Sequence, residues 1–196
     1  MEYHSFRGNF EQNNVDIKVE EYQKAVSGLA SAGSELFFKN SNPLHAAIVL
    51  NNIVLYSEKT VRIYDTDLSG DIAMLLTEFE TSINDFVRVH RKLLKILVKK
   101  KTTSNEFQRF LVSLANSYPE NLIIKLANDA IKKEIVDNFE RDLNFTVGDE
   151  SKFRLEYGDN NERKAYCSFN NKKCSNTLVS VFDKHFPNCE KYEIDA

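Results

Sequence analysis

Two short apolar runs, "TVRIYD" at 60–65 and "KLLKILV" at 92–98, bracket a segment whose apolar residues recur at helical spacing. Over 71–90, Ile72, Leu75, Leu76, Phe79, Ile83, Phe86, Val87 and His90 fall on one face, about five turns long, and Ser69 is placed to cap the helix. Two strands joined through a helix that packs back on them pair in parallel. Lys99, Lys100 and Lys101 mark where the second strand leaves the interior. Ahead of the first strand, "PLHAAIVLNNIVLYSEK" is expected as a helix buried around Leu44, Ala47, Ile48, Ile53 and Leu55, with Asn42 as its cap and Pro43 at its first position.

The remaining elements follow from the same periods. A short helix is predicted within 19–33, weakened by Gly28 and ended by Gly33, and "ELFFKNS" is predicted to be extended. Helices are predicted over 104–117 and, after Tyr118-Pro119, over 120–139. "LNFTVGD", "KFRLEYGD" and "RKAYCSFN" read as strands, and 173–186 as a helix carrying Leu178, Val179, Phe182 and Phe186. The order describes an α/β protein, a mixed sheet sandwiched by helices. Residues 1–35 are expected to form an arm and short helix, and 36–196 the α/β domain. At 42% hydrophobic and 28% charged, the chain can bury one core of that size.

Lys and Arg total 26 against 29 Asp and Glu, so no global field draws the chain to nucleic acid or a membrane. Nucleic acid is not expected as a partner. Apolar runs of about six residues fall short of the roughly 20 that a bilayer span needs, and the first residues lack the order of a signal peptide. A cytoplasmic protein is expected. Its three cysteines, an odd number, are then read as reduced thiols.

"KFRLEYGDNNERKAYCSFNN", at 152–171, carries the most specific pattern: Lys152, Arg154 and Asp159 spaced as K-x-R-x4-D, then Cys167, Ser168, Phe169 and Asn170. With the element order, this resembles one half-domain of the phospholipase D-like superfamily over roughly 36–186. There, H-x-K-x4-D is followed after a turn by G-S-x-N. Arg154 stands for the lysine, Asp159 for the aspartate, and Ser168 and Asn170 for the serine and asparagine. Lys152 stands in place of the histidine.

That resemblance implies chemistry in which an imidazole attacks phosphorus and the imidazole of a second half protonates the leaving group. A lysine, with a reference pKa near 10.4, is a poor nucleophile at neutral pH. The expectation is a module without catalytic residues, cofactor or metal. A phosphate pocket at Lys152, Arg154, Asp159, Ser168 and Asn170 is the ligand site it implies, since cations and neutral donors suit phosphate. One half-site per chain implies a homodimer or a partner protein, as a subunit of a bacterial multi-protein system. The alternative is a divergent phosphodiesterase or nuclease using His45 or a desolvated Lys152.

Other candidates read more simply. Asp65 and Asp67 form D-x-D at a strand end, as in haloacid-dehalogenase-like phosphatases, but the second strand ends in lysines, so they are assigned to a turn in which Lys99 and Lys100 pair with them. "RVHRKLLKILVKKK" has seven basic residues in fourteen, without interleaved aromatic platforms. His90 is assigned to the apolar face of its helix. Cys167, Cys174, His185 and Cys189 do not make a zinc site if 174 and 185 share a helix, since eleven residues separate them by about 16 Å.

Overall fold

The computed structural model describes residues 19–69, 77–101, 105–157 and 164–193. Among them are six helices and eight strands: α1 (Val19–Ser31), β1 (Phe38–Asn40), α2 (Pro43–Leu55), β2 (Thr60–Asp65), α3 (Thr77–Arg88), β3 (Leu93–Val98), α4 (Glu106–Ser117), β4 (Leu122–Leu126), α5 (Asp129–Phe139), β5 (Phe145–Gly148), β6 (Lys152–Glu156), β7 (Ala165–Ser168), α6 (Lys172–His185) and β8 (Glu190–Lys191). Local chemistry sets the helix starts. Asn42, Asn105, Asn128 and Asn171 each accept a hydrogen bond from the amide three residues on, and Asn105 forms a full capping box with Gln108.

One sheet runs β1-β7-β6-β5-β2-β3-β4-β8. As the crossover argument requires, β2 and β3 pair in parallel, Thr60 opposite Leu93 through Asp65 opposite Val98, and β4 continues the parallel set. The later strands pair antiparallel. Side chains of α1, α2, α3 and α4 form one core on one face of this mixed sheet, and those of α5 and α6 another on the opposite face. The α/β sandwich is as expected. Gly148 marks a close approach: a Cβ there would collide with Ser57 Oγ and lie 2.9 Å from Ile53 Cγ2 of α2.

Several local expectations are corrected. The segment 120–139 is not one helix but β4 followed by α5. Ile124, Ala127, Ile131 and Ile135 keep a helical spacing across the break, which hid it, and Asn128 restarts the chain as a cap. The helix from Pro43 stops at Leu55, which is 56% exposed. His90 lies beyond the end of α3 and is exposed, so it is not on a core face. Ile72, Leu75 and Leu76 fall outside the described residues. Two-residue β8 had no periodic signal to find. Tyr22, Val26 and Ala30 of α1 enter the first core alongside α2.

Candidate functional site

The β6–β7 hairpin was the sequence's most specific feature, and its register decides which side chains meet. Phe153 lies opposite Ser168 and Arg154 opposite Cys167. Opposed residues of an antiparallel pair project to the same face. Arg154 and Cys167 therefore face the α1 and α2 side, whereas Ser168 goes with Phe153 to the α5 and α6 side. Asn170 sits in the bend after β7, its amide 3.4 Å from Ser168 Oγ. Lys152 and Arg154 share a face of β6, whereas Ser168, at the end of β7, faces the other side of the sheet. Asp159 lies outside the described residues.

Lys152 donates from Nζ to Asp149 Oδ2 at 3.0 Å. Asp149 itself adopts φ 53° and accepts from the backbone amides of Glu58, Lys59 and Thr60 at 3.1, 2.9 and 3.2 Å. Burial pushes its carboxyl up, but these amides and Lys152 outweigh it and hold the pKa below the ordinary 3.8. Where the resemblance would place a nucleophile, the ammonium braces the Asp149 carboxylate that ties the β5–β6 turn to the amino end of β2.

Arg154 is engaged inside the fold. Its Nε donates to Asn40 Oδ1 at 3.0 Å and its Nη1 to Glu156 Oε2 at 2.8 Å, the two charged side chains being 3% and 5% exposed. Cys167 Sγ lies 3.6 Å from Asn40 Oδ1, and burial pushes this thiol up to about 12 although Arg154 opposes the shift. A small cavity of about 60 Å³ adjoins the pair, bordered by Asp65, Asn144, Thr146, Arg154 and Glu156. It has room for a few waters, well below the roughly 300–1,000 Å³ of ligand pockets. Asn40 comes from β1 and had no local signal, while Glu156 could have been read from its i, i+2 spacing to Arg154.

Remaining candidates take structural roles. Asp65 accepts from the amide of Leu68 and Asp67 from that of Ser69, both at 3.0 Å, as turn carboxylates do. Lys100 pairs with Asp67 at 3.7 Å, but Lys99 pairs with Asp142 at 2.7 Å instead of with the D-x-D carboxylates, because its side chain turns under the α5–β5 connection. His45, in the first turn of α2, stacks on Tyr22 with centroids 3.8 Å apart, and burial lowers its pKa. α6 is unbroken from Lys172 to His185, so Cys174 and His185 are held apart along one axis, and His185 instead meets Glu134 at 2.7 Å. On the same helix Asp183 joins Arg62 at 2.6 Å and Lys95 at 3.1 Å; burial raises its carboxyl pKa, and both cations overcome that to leave it lowered.

These shifts give a pH dependence. Asp149 and Asp183 release protons more readily in the folded chain than at the ordinary 3.8. Their stabilisation is therefore full above about 3.8 and lost as pH falls through the lower folded values. His45, lowered from 6.5, acts earlier: below about 6.5 the unfolded chain gains a proton that the folded chain resists. Urea midpoints should fall in two stages, beginning below about pH 6.5 and steepening below about pH 4. Asp149→Asn should flatten the second stage only.

No protein-family model matches the chain, and no curated protein matches it in sequence. Solved structures do. TrmBL2, described as an archaeal chromatin protein with a novel mode of DNA binding, superposes with a TM-score of 0.55 at 15% identity, over 88% of this chain and 60% of that one. The chain thus spans about three-fifths of TrmBL2's length. Nuc from Salmonella typhimurium, a phospholipase D family member, gives 0.52 at 10% identity over 81% of this chain and 99% of Nuc. NucT from Helicobacter pylori gives 0.51 at 12% identity, over 80% and 100%.

The sheet order and its helical layers define an α/β sandwich. More particularly, the fold is phospholipase D-like. At these identities the likeness extends to the fold, so DNA binding remains a statement about TrmBL2, and the expectation against nucleic acid rests on charge alone. No helix among the described residues is long and apolar enough to cross a membrane.

Proposed function

We propose that the chain is a non-catalytic phospholipase D-like module that works by binding protein, in the first instance a second copy of itself. The observation that carries this reading is the place of Lys152: the position that holds an attacking imidazole in the resemblance holds an ammonium 3.0 Å from Asp149. An ammonium has no lone pair with which to attack phosphorus. Arg154, the corresponding phosphate cation, is buried against Glu156 and Asn40. Self-association is favoured by size and by an edge. About four-fifths of the chain covers all of Nuc or NucT, so it carries one such unit. β1 is a three-residue edge strand next to Leu36, which is 57% exposed. Edge strands that keep exposed apolar neighbours are open to pairing.

Sedimentation equilibrium across micromolar concentrations tests the association, with a dimer expected and Leu36→Lys expected to shift it toward monomer. A strict monomer that also fails to bind any co-expressed partner would contradict the reading. Turnover of a generic phosphodiester that disappears on Lys152→Ala or His45→Ala would favour a divergent phosphodiesterase instead.

A further inference from the structure

At the carboxyl ends of β2 and β3, the opposite end of the sheet from Lys152, the surface opens into a groove of about 520 Å³. Lys99, Lys100, Lys132 and Lys133 line it together with Asp137 and Asp142. Its volume falls within the roughly 300–1,000 Å³ of small-molecule sites. Topology places it there for a reason. β3 and β4 are parallel neighbours, and the chain leaves β3 for α4 on one face of the sheet and β4 for α5 on the opposite face. These connections diverge, so the space outside the carboxyl ends of β3 and β4 is a switch point, where open α/β sheets bind ligands.

The charges are arranged in two tiers. Lys99 forms the floor: its side chain is 8% exposed, its ammonium lies 5.0 Å from the Tyr64 ring centre, and it meets Asp142 at 2.7 Å. The fully buried Tyr64 hydroxyl has no hydrogen-bond partner among the described residues. Lys133 forms the rim, 2.6 Å from Asp137, while Lys100 and Lys132 have looser contacts with Asp67 at 3.7 Å and Asp129 at 3.5 Å. Asp142 and Asp137 are 56% and 58% exposed, so water can take the place of either carboxylate's partner. Each carboxylate serves one lysine, whereas a phosphate group offers oxygens to several ammoniums at once.

We propose that this groove binds a small phosphorylated anion, whose phosphate displaces Asp142 and Asp137 from Lys99 and Lys133 and whose organic part lies along Val136, which is 44% exposed. The site is independent of the interaction role proposed above. Titration of the full chain with inorganic pyrophosphate and with ADP, followed by calorimetry at low salt, tests it. Saturable binding is expected, weakened about tenfold or more in Lys132→Gln/Lys133→Gln, a loss of about 1.4 kcal/mol or more. Both substituted residues are on the surface, so the fold is kept. Lys172→Gln/Lys173→Gln on α6 and Lys152→Gln should bind as the natural chain does, and tighter ADP than pyrophosphate marks an esterified ligand. Absence of saturation, equal weakening in the α6 variant, or loss in Lys152→Gln alone overturns the site. So does an oligonucleotide that outcompetes both probes, which would make the groove a nucleic-acid surface.

Discussion

Arg154→Met is expected to lower the unfolding free energy by about 3–5 kcal/mol, because it leaves the buried Glu156 carboxylate without its guanidinium. The natural pair is 2.8 Å apart, with side chains 3% and 5% exposed, so solvent does little to screen or replace it. Much of that cost belongs to the stranded charge and not to the pair. Adding Glu156→Leu should therefore recover most of the loss, since apolar replacement of a whole buried pair is often neutral or better. Urea unfolding of both variants measures this. A phosphate-binding arginine would behave in the opposite way: its removal would leave stability nearly unchanged or improved, and anion binding would be lost.

Phe182→Ala should cost a similar amount, about 3–5 kcal/mol, by a different mechanism. Phe182 is fully buried on α6, edge-on to Phe145 of β5 and stacked on Phe186, with centroids 6.3 and 5.3 Å away. Both neighbours are held by the sheet and the chain that follows α6, so the space cannot collapse cheaply. The same helix contributes Asp183 to Arg62 and Lys95, so loosening α6 should also weaken that network. Thermal unfolding with matched near- and far-ultraviolet dichroism checks it. Retained stability would mean that α6 is not docked as described.

How far the residues alone lead differs between fold and site. The parallel β2–β3 pair was legible because each strand is a short apolar run and the intervening helix keeps its period over the described Phe79, Ile83, Phe86 and Val87. β4 was hidden because Ile124 and the following Ala127 stay in helical phase with Ile131 and Ile135 of α5. The hairpin was visible as two strands, but not its register. Side chains alternate with period two, so a shift of a single residue across the 157–164 connection exchanges faces. That shift separates Ser168 from Arg154. Asn40 is 114 positions from Arg154 in the chain, and only the β1–β7 pairing brings it there. Asp149 was read only as the last residue of the strand "LNFTVGD", although its carboxylate gathers three amides and Lys152.

On the proposed reading, the ammonium at 152 stands where the resemblance puts the attacking group and serves the fold through Asp149. The most direct measurement of that reading is hydrolysis of bis(p-nitrophenyl) phosphate by the purified chain across neutral pH, run beside Lys152→Ala and His45→Ala. A non-catalytic chain gives the same background rate in all three proteins. Turnover by the natural chain that vanishes in either variant would contradict the reading.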